Sequence, residues 1–187
     1  MSRKATGADV TDRPARSRRL YTGKIITLDV EDVTLPNGVH ARFEIVGHPG
    51  GAAVVPVDHE LRVCLLRQYR HVTGQWLWEV PAGKLDGRAP PVTARLELAE
   101  EAGLTAGSLV SLGAVWASPG IFTEVVHLFL ARDLSPVEAS PERDEVLEVH
   151  WIPLAEAARC ALQGDYADAK TVIALLRAAH HIGLPLG

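Results

Sequence analysis

The 187-residue chain has little of several residue types that mark specialised classes of protein. Its two cysteines, Cys64 and Cys160, cannot build the disulfide framework of a small secreted domain. No apolar run approaches the roughly 20 residues that a membrane-spanning helix needs. The first residues also lack the apolar centre of a secretion signal. We therefore expect a cytoplasmic protein that makes no membrane association.

The basic residues are unevenly distributed along the chain. Six of the 19 lysines and arginines lie in the first 19 residues, where only two acidic residues oppose them. The remainder has 13 basic against 21 acidic residues, a balance of −8 that disfavours a nucleic-acid-binding domain. Because residues 1–19 lack apolar periodicity, we expect them to form a basic, disordered leader. Contact of this leader with RNA or with lipid headgroups is the alternative interpretation.

The chain does contain enough apolar sequence for one globular domain, with 47% hydrophobic and 22% charged residues. Asn37-Gly38 between two alternating runs predicts a β-hairpin. Residues 52–57 are almost wholly apolar, which predicts a strand buried on both faces. Hydrophobic periodicity predicts strands at 20–35, 39–46, 52–57, 61–69, 76–80, 109–117, 125–130 and 146–152, and helices at 91–102, 154–162 and 168–180. This order indicates a mixed α+β domain.

Three glutamates converge on one face of the helix predicted at 91–102. Glu97 and Glu101 are four residues apart, and Glu100 lies about 60° to the side of Glu97. Like charges at this spacing destabilise a helix by a few tenths of a kcal/mol per pair, so a positive group should compensate them. Nearby arginines and a hard divalent cation are the two candidates, since carboxylate oxygens are the ligands that Mg²⁺ and Mn²⁺ prefer. A solvated acidic helix face is the alternative that spacing alone leaves open.

The sequence around these glutamates resembles the signature of the Nudix hydrolases. Residues 78–86 read WEVPAGKLD and, after a loop, residues 97–104 read ELAEEAGL. The family signature is a glycine, a spacer with an acidic residue, and then Arg-Glu-aliphatic-any-Glu-Glu-any-Gly-aliphatic. The resemblance implies an α/β/α sandwich with a mixed sheet, an N-terminal antiparallel hairpin and C-terminal helices. It also implies a hairpin region at 20–47 that serves dimerisation and a Nudix domain at 48–187.

The resemblance further implies a metal site and part of the catalytic machinery. The metal, Mg²⁺ or Mn²⁺, would be held by Glu97, Glu100, Glu101 and the backbone carbonyl of Ala82. Glu100 and Glu101 would also be catalytic.

The chain departs from the family pattern at three points. Leu96 replaces the arginine expected before Glu97, and Arg95 lies about 100° around the helix from that position. The spacer between Gly83 and Glu97 is one residue short. Neither Arg88 nor Ala89 supplies the acid of the spacer, for which Asp86 is a candidate substitute. We expect altered loop packing with the metal ligands retained, and lowered or absent activity is the alternative.

Two further segments resemble those of the ADP-ribose pyrophosphatase subgroup. Residues 118–124 read SPGIFTE, and a proline at the position of Pro119 marks the subgroup. Residues 67–70 read RQYR, similar to a segment whose arginine contacts the phosphates or ribose of the substrate. We assign substrate binding to Arg70, Pro119 and Glu124, and to Trp78 by stacking on adenine. The alternatives are a plain turn at Pro119, a surface cation at Arg70, and a core or interface position for Trp78.

The polar segment 140–145, SPERDE, lies where the subgroup has a mobile loop that carries a catalytic glutamate. Glu145 and then Glu142 are the candidates for the base, and a solvated loop acid is the alternative for both. Together these resemblances predict Mg²⁺-dependent hydrolysis of ADP-ribose to AMP and ribose 5-phosphate. Two alternatives stay open: hydrolysis of GDP-mannose, another nucleotide sugar or a nucleoside triphosphate, and non-catalytic binding of ADP-ribose or a nucleotide. The expected partners are a small nucleotide substrate and a second copy of the chain.

Overall fold

The computed structural model describes residues 16–143 and 145–185, which divide into two compact units. Of these residues, one unit holds 16–48 and 118–123, and the other holds 49–117, 124–143 and 145–185. The strands are β1 (Ser17–Thr22), β2 (Thr27–Thr34), β3 (His40–Gly47), β4 (Gly51–Pro56), β5 (Arg62–Arg70), β6 (Gln75–Glu79), β7 (Ala82–Lys84), β8 (Leu104–Trp116), β9 (Val125–Pro136) and β10 (Leu147–Pro153). The helices are α1 (Pro90–Ala102), α2 (Leu154–Gln163) and α3 (Ala169–Ile182). The mixed α+β prediction is confirmed, and no helix among the described residues is long and apolar enough to cross a bilayer.

The first unit is an antiparallel sheet in the order β1-β2-β3. The predicted hairpin is present: β2 and β3 pair, Leu35 N–H donates to the Val39 carbonyl at 2.8 Å, and Gly38 takes the positive φ of 83° that the turn needs. The single strand predicted at 20–35 is wrong, because a turn closed by a 2.8 Å bond from Gly23 N–H to the Ile26 carbonyl separates β1 from β2. Ile25 and Ile26 in that turn are apolar, so hydrophobic periodicity did not distinguish the turn from a strand.

The basic leader predicted at 1–19 falls mostly on residues 1–15, which lie outside the described residues. Residues 17–19 belong instead to β1. Arg18 pairs with Val30, and Arg19 forms an ion pair with Asp29 on β2. The predicted end of the leader at residue 19 is therefore too late, because β1 begins at Ser17. The sequence of the leader does not reveal this strand, since its hydrogen-bonding partner is β2.

The second unit contains two sheets, in the orders β7-β4-β9-β8 and β10-β5-β6. β4 is buried along its whole length and runs parallel to β9, as expected for a strand covered on both faces. Ala53 and Val55 pack with α2 and α3, whereas Ala52 and Val54 pack in the cluster that includes Leu98 of α1. Alternate side chains of β4 therefore pack against α2 and α3 on one face of the sheet and against α1 on the other.

Two local signals fix α1, the helix that carries the three glutamates. Prolines occupy its first turn, where the missing N–H costs nothing. Gly103 ends it with φ of 65°, a left-handed conformation that glycine adopts without a steric penalty. β8 starts at the next residue, five residues earlier than predicted, since its ladder with β9 continues through polar residues. Strand β7, which the periodicity did not predict, lies beside β4 and places Ala82 and Gly83 close to α1.

Candidate active site

The glutamates of α1 pack onto the backbone of β7. Glu101 is only 2% exposed, and its Oε2 accepts a 2.8 Å hydrogen bond from the backbone N–H of Ala82. Glu97 and Glu100 are half-buried on the same helix. The structure therefore brings the side chains of Glu97 and Glu101 together with the Ala82 backbone. Their binding of a metal stays a prediction.

Gly83 is required by the close approach of Glu97. A Cβ built on Gly83 would lie 1.8 Å from Glu97 Oε1 and 2.2 Å from its carboxyl carbon. A side chain at this position would force the Glu97 carboxylate to move, because non-bonded heavy atoms need about 3.5 Å. The glycine of the WEVPAGKLD segment thus lets a carboxylate lie directly on the strand.

The carboxylates are crowded enough to resist ionisation. Burial raises the pKa of Glu97 to about 7, and the charges of Glu100, Glu145 and Glu142 add to the rise. Burial also raises the pKa of Glu101 to about 8, against the opposing hydrogen bond from Ala82. The charges of Glu145 and Glu97 raise it further. Protons or a cation must therefore offset the negative charge of this site.

The predicted loop acids Glu142 and Glu145 lie close enough to the helix acids for their charges to act on them. Ser140 N–H donates to the Glu100 carbonyl at 3.0 Å, which attaches the start of the segment to α1. Glu142 N–H donates to Glu145 Oε2 at 2.8 Å. Both charges act on Glu97, and that of Glu145 also acts on Glu101. The fold thus joins Glu142 and Glu145 to the acidic cluster, and the role of either as a base stays a prediction.

The donor set suits a hard divalent cation in its chemistry and its charge. Carboxylate oxygens and a backbone carbonyl are the ligands that Mg²⁺ takes. Within residues 16–143 and 145–185, however, no three His, Cys, Asp or Glu side chains stand in a ready-made metal-binding arrangement. A cation would therefore have to draw mutually repelling carboxylates toward itself.

Arg70 is held at the edge of this site by a buried carboxylate. Its Nε and Nη2 donate to the two carboxylate oxygens of Glu79, both at 2.7 Å. Glu79 is 2% exposed and also pairs with the Nζ of Lys170. The pKa of Arg70 is raised, first by its hydrogen bonds to Glu79 and further by the charges of Glu79 and Glu101. Arg70 is therefore paired with the buried Glu79 and lies within reach of the charge of Glu101. Substrate binding by Arg70 stays a prediction.

The residues at or beside the positions that depart from the family pattern each have a defined local role. Arg88 N–H donates to the Leu85 carbonyl at 2.7 Å, and Asp86 has a positive φ of 45° at the tip of this turn. The charge of Arg88 lowers the pKa of Glu97, so a cation near the helix acids is supplied from the loop. Arg95 donates to the Ala106 carbonyl at 2.6 Å and so serves β8 instead. Substitution of Asp86 for the missing acid stays a prediction.

Trp78 is packed against the protein's own rings. Its ring centroid lies 4.9 Å from that of His150, in an edge-on arrangement, and 6.2 Å from that of Tyr166. The side chain is half-buried against the core that includes Leu65. This packing favours the alternative of a core position, and stacking on adenine stays an untested prediction.

Pro119 and Glu124 lie in different units. Pro119 is in a turn of the first unit, where Phe122 N–H donates to the Ser118 carbonyl at 2.8 Å. Glu124 belongs to the second unit, and its Oε1 lies 3.6 Å from where a Cβ on Gly51 would stand. Gly51 pairs with Lys84 on β7, so Glu124 lies at the same end of the sheet as the Gly83 backbone. Substrate binding by either residue stays a prediction.

The sequence reasoning gave no role to Glu79 or Lys170. Glu79 stands inside the WEVPAGKLD segment, between residues that read as a buried strand, and an acid there needs a partner. Lys170 lies in the first turn of α3, where the helix dipole disfavours a cation. Each residue therefore carried a local signal of an ion pair. Neither signal identifies the other residue, 91 positions away.

The chain is similar in sequence to a known domain family and to several hydrolases. A family model described as "NUDIX domain" matches residues 47–176. The chain is 40% identical to an "ADP-ribose pyrophosphatase" of Bacillus subtilis (strain 168), over 88% of this chain and 90% of that protein. It is 38% identical to an "ADP-ribose pyrophosphatase" of Mycobacterium tuberculosis (strain ATCC 25618 / H37Rv), over 86% and 79%. A "GDP-mannose pyrophosphatase" of Cronobacter sakazakii (strain ATCC BAA-894) is 36% identical, over 77% and 82%.

The fold also has a counterpart among solved structures. A structure titled "Crystal structure of ADP compounds hydrolase" superposes with a TM-score of 0.79, covering 94% of this chain and 97% of that one. The two sequences are only 23% identical, so this structure shows a shared fold and nothing about function.

Proposed function

Because the chain belongs to the Nudix hydrolase family, we propose that it catalyses Mg²⁺-dependent hydrolysis of ADP-ribose to AMP and ribose 5-phosphate. The observation that carries the proposal is the packing of Glu97 and Glu101 onto the backbone of Ala82 and Gly83. It concentrates hard oxygen donors and negative charge at one place, which suits a divalent cation and a phosphate substrate. The two relatives with the name ADP-ribose pyrophosphatase favour ADP-ribose as that substrate.

The residues proposed to hold the cation are Glu97, Glu100, Glu101 and the carbonyl of Ala82. Two observations support the fit: the raised pKa values of Glu97 and Glu101, and the absence of a side chain at Gly83. When bound, Mg²⁺, with Mn²⁺ as the second candidate, would supply positive charge that offsets the diphosphate and would make water easier to deprotonate.

The chain's own residues would bind the substrate and move the proton. Arg70 would donate to the diphosphate, for which a guanidinium is well suited. Glu145, or Glu142 in its place, would accept the proton of the attacking water. Pro119, Glu124 and Trp78 are proposed to complete the substrate site.

A change of substrate is the second candidate, and the relative with the name GDP-mannose pyrophosphatase favours it. The chemistry would be unchanged, because the same diphosphate linkage is cut. A non-catalytic module that binds ADP-ribose is the third candidate, motivated by Leu96 and Arg88 in place of the signature residues.

We also propose a homodimer formed through the β1-β2-β3 sheet. Every residue of β1 is exposed, and the unit exposes several large apolar side chains: Leu20 (47%), Tyr21 (56%), Ile25 (46%), Val39 (53%) and Phe43 (39%). A second copy of the chain would remove this apolar surface from water.

The deciding experiment is a panel of nucleoside diphosphate derivatives incubated with Mg²⁺ or Mn²⁺ and resolved by chromatography. The panel contains ADP-ribose, GDP-mannose, other nucleotide sugars and nucleoside triphosphates. Release of AMP and ribose 5-phosphate at the highest kcat/KM is expected from ADP-ribose, and H₂¹⁸O identifies the phosphorus attacked. Faster turnover of GDP-mannose would select the second candidate. Binding of ADP-ribose by calorimetry, with no product in either metal, would select the third.

A further inference from the structure

Glu79 is a buried carboxylate that two cations share. It is 2% exposed, and its Oε1 accepts from Arg70 Nε at 2.7 Å. Its Oε2 accepts from Arg70 Nη2, also at 2.7 Å, and pairs with Lys170 Nζ. Burial by itself would raise the pKa of Glu79, but the hydrogen bonds and charges of Arg70 and Lys170 outweigh it and hold the pKa below its usual value. Glu79 therefore stays ionised and exerts its full pull on both cations.

Lys170 is fixed in turn by the start of α3. Its Nζ lies 3.0 Å from Asp168 Oδ2, and Asp168 caps the helix by accepting from Thr171 N–H at 3.0 Å. The Thr171 hydroxyl donates to Asp168 and accepts from Val80 N–H at 2.9 Å. The first turn of α3 is thereby tied to the segment that leads from Glu79 to Gly83. The Lys170 side chain is only 19% exposed within this network.

Arg70 has one guanidinium nitrogen that faces away from Glu79. The side-on pairing uses Nε and Nη2, and the planar geometry of the group then directs Nη1 to the opposite side. The side chain is 40% exposed, and among the described residues Nη1 makes no hydrogen bond to the protein, which leaves it available to a ligand. The position of Nη1 depends on the orientation of the whole plane, which Glu79 sets.

We infer that Lys170 is a positioning residue for the substrate diphosphate, because it shares Glu79 with Arg70 and so fixes the direction of Arg70 Nη1. The inference rests on the proposed function, in which Arg70 contacts the diphosphate. Without Lys170, one guanidinium would have to neutralise a buried carboxylate alone. The guanidinium would then shift toward Glu79 Oε2, and Nη1 would leave the direction that the substrate needs.

The test is a set of variants assayed for ADP-ribose hydrolysis with Mg²⁺. K170M removes the ammonium group and keeps a four-atom stem, K170R restores the charge, and R70Q removes the group that Lys170 is inferred to act through. K24M is the matched control, because Lys24 is exposed in the turn between β1 and β2. Each variant is also titrated with ADP-ribose in EDTA by calorimetry, which reads binding without turnover, and its thermal unfolding is followed to verify folding.

A positioning role predicts a rise in KM without an equal fall in kcat. K170M should raise KM about tenfold, since misplacing a binding group by about an ångström costs up to about a hundredfold. Its kcat should stay within about twofold of wild type, and K170R should recover most of the loss. In the R70Q background, K170M should change KM by less than about twofold, because coupled residues are not additive. The Kd in EDTA should follow KM.

Three results would overturn the inference while the proposed function stands. K170M could match K24M in KM and Kd, K170M could act equally in the wild-type and R70Q backgrounds, or K170M could lower kcat alone. Failure of the proposed function has a different signature, since the wild-type protein itself would then release no AMP from ADP-ribose. If the wild-type protein binds ADP-ribose without cleaving it, the Kd values in EDTA test Lys170 alone.

Discussion

Glu97 lies so close to Gly83 that a Cβ on this glycine would stand 1.8 Å from its Oε1. The contact joins a helix carboxylate to strand β7, which also contains Ala82. A helix residue and a strand residue 14 positions apart thus define the spacing of the site.

Replacement of Gly83 by alanine should disable the site and leave the fold. The added methyl group must displace the Glu97 carboxylate, so Mg²⁺-dependent turnover should fall at least about a hundredfold. Overpacking of this kind costs about 1–3 kcal/mol of unfolding free energy. Turnover and thermal unfolding are measured together, with G107A on β8 as the control, because its Cβ would be crowded by Asp133, at 3.0 Å, and not by a glutamate. Equal activity of G83A and G107A would contradict the packing of Glu97 on the strand.

Glu101→Gln should lose at least about a hundredfold in kcat, since a metal site contributes several kcal/mol to catalysis. The fold should survive, because the glutamine carbonyl can still accept from Ala82 N–H. The matched control is E156Q, an exposed glutamate of α2. Turnover with Mg²⁺ is the measurement, and an E101Q protein as active as E156Q would show that the metal assignment is wrong.

Metal-free protein should lose stability as the pH rises from about 4.5 to about 8. The pKa of Glu97 is raised to about 7 and that of Glu101 to about 8, from an ordinary value of 4.5. In this window the folded state keeps protons that the unfolded state releases, so unfolding becomes more favourable with pH. Added Mg²⁺ should oppose the trend, because it binds the deprotonated carboxylates.

Melting temperatures in EDTA and in Mg²⁺ between pH 5 and 9 test this linkage. The double variant E97Q/E101Q should lose most of the slope in EDTA and the response to Mg²⁺. A wild-type melting temperature that rises through the same window in EDTA would contradict the raised pKa values.

Thr171→Val should loosen the segment that precedes Gly83. The hydroxyl is buried and accepts the Val80 N–H at 2.9 Å, and its loss leaves that donor unpaired. An unsatisfied buried donor costs about 1–3 kcal/mol of unfolding free energy. The control is T105V, whose exposed hydroxyl bonds to the Ser135 carbonyl at 3.3 Å and should matter by less than about 0.5 kcal/mol. Urea denaturation of both variants gives the comparison.

The proposed dimer should dissociate when its apolar surface receives charge. Tyr21→Glu places a carboxylate on an exposed strand residue, which should shift sedimentation of the protein toward the monomer. V72E is the control, because Val72 is 97% exposed in the turn between β5 and β6, in the other unit. A wild-type protein that sediments as a monomer at micromolar concentration would refute the dimer.

Much of the helix-borne part of the site was predictable from local sequence. The 3.6-residue period placed the three glutamates on one helix face, and Gly103 marked the end of that helix. The apolar run at 52–57 gave the strand buried on both faces. These features depend only on neighbours within a few residues, so they can be read from the chain directly.

The remaining contacts were decided by tertiary structure. The pairing of Glu79 with Lys170 joins residues 91 positions apart, and the hydrogen bond from Ser140 N–H to the Glu100 carbonyl brings a loop onto a helix. Apolar residues in the turn between β1 and β2 made that turn look like part of a strand. Trp78 contacts the rings of His150 on β10 and of Tyr166 between α2 and α3, which are both distant in sequence. Local propensity carries no information about which distant element a side chain will meet.

The sequence by itself therefore determined the acidic helix, the glycine that follows it and the family to which both point. Tertiary structure alone decided that Glu97 lies on Gly83, that Glu79 holds Arg70 and that α3 holds Glu79. The physical reason is range. Helix periodicity and capping act over one or two turns, whereas the ion pairs and close packing of the site form only when the two sheets and three helices of the second unit have packed.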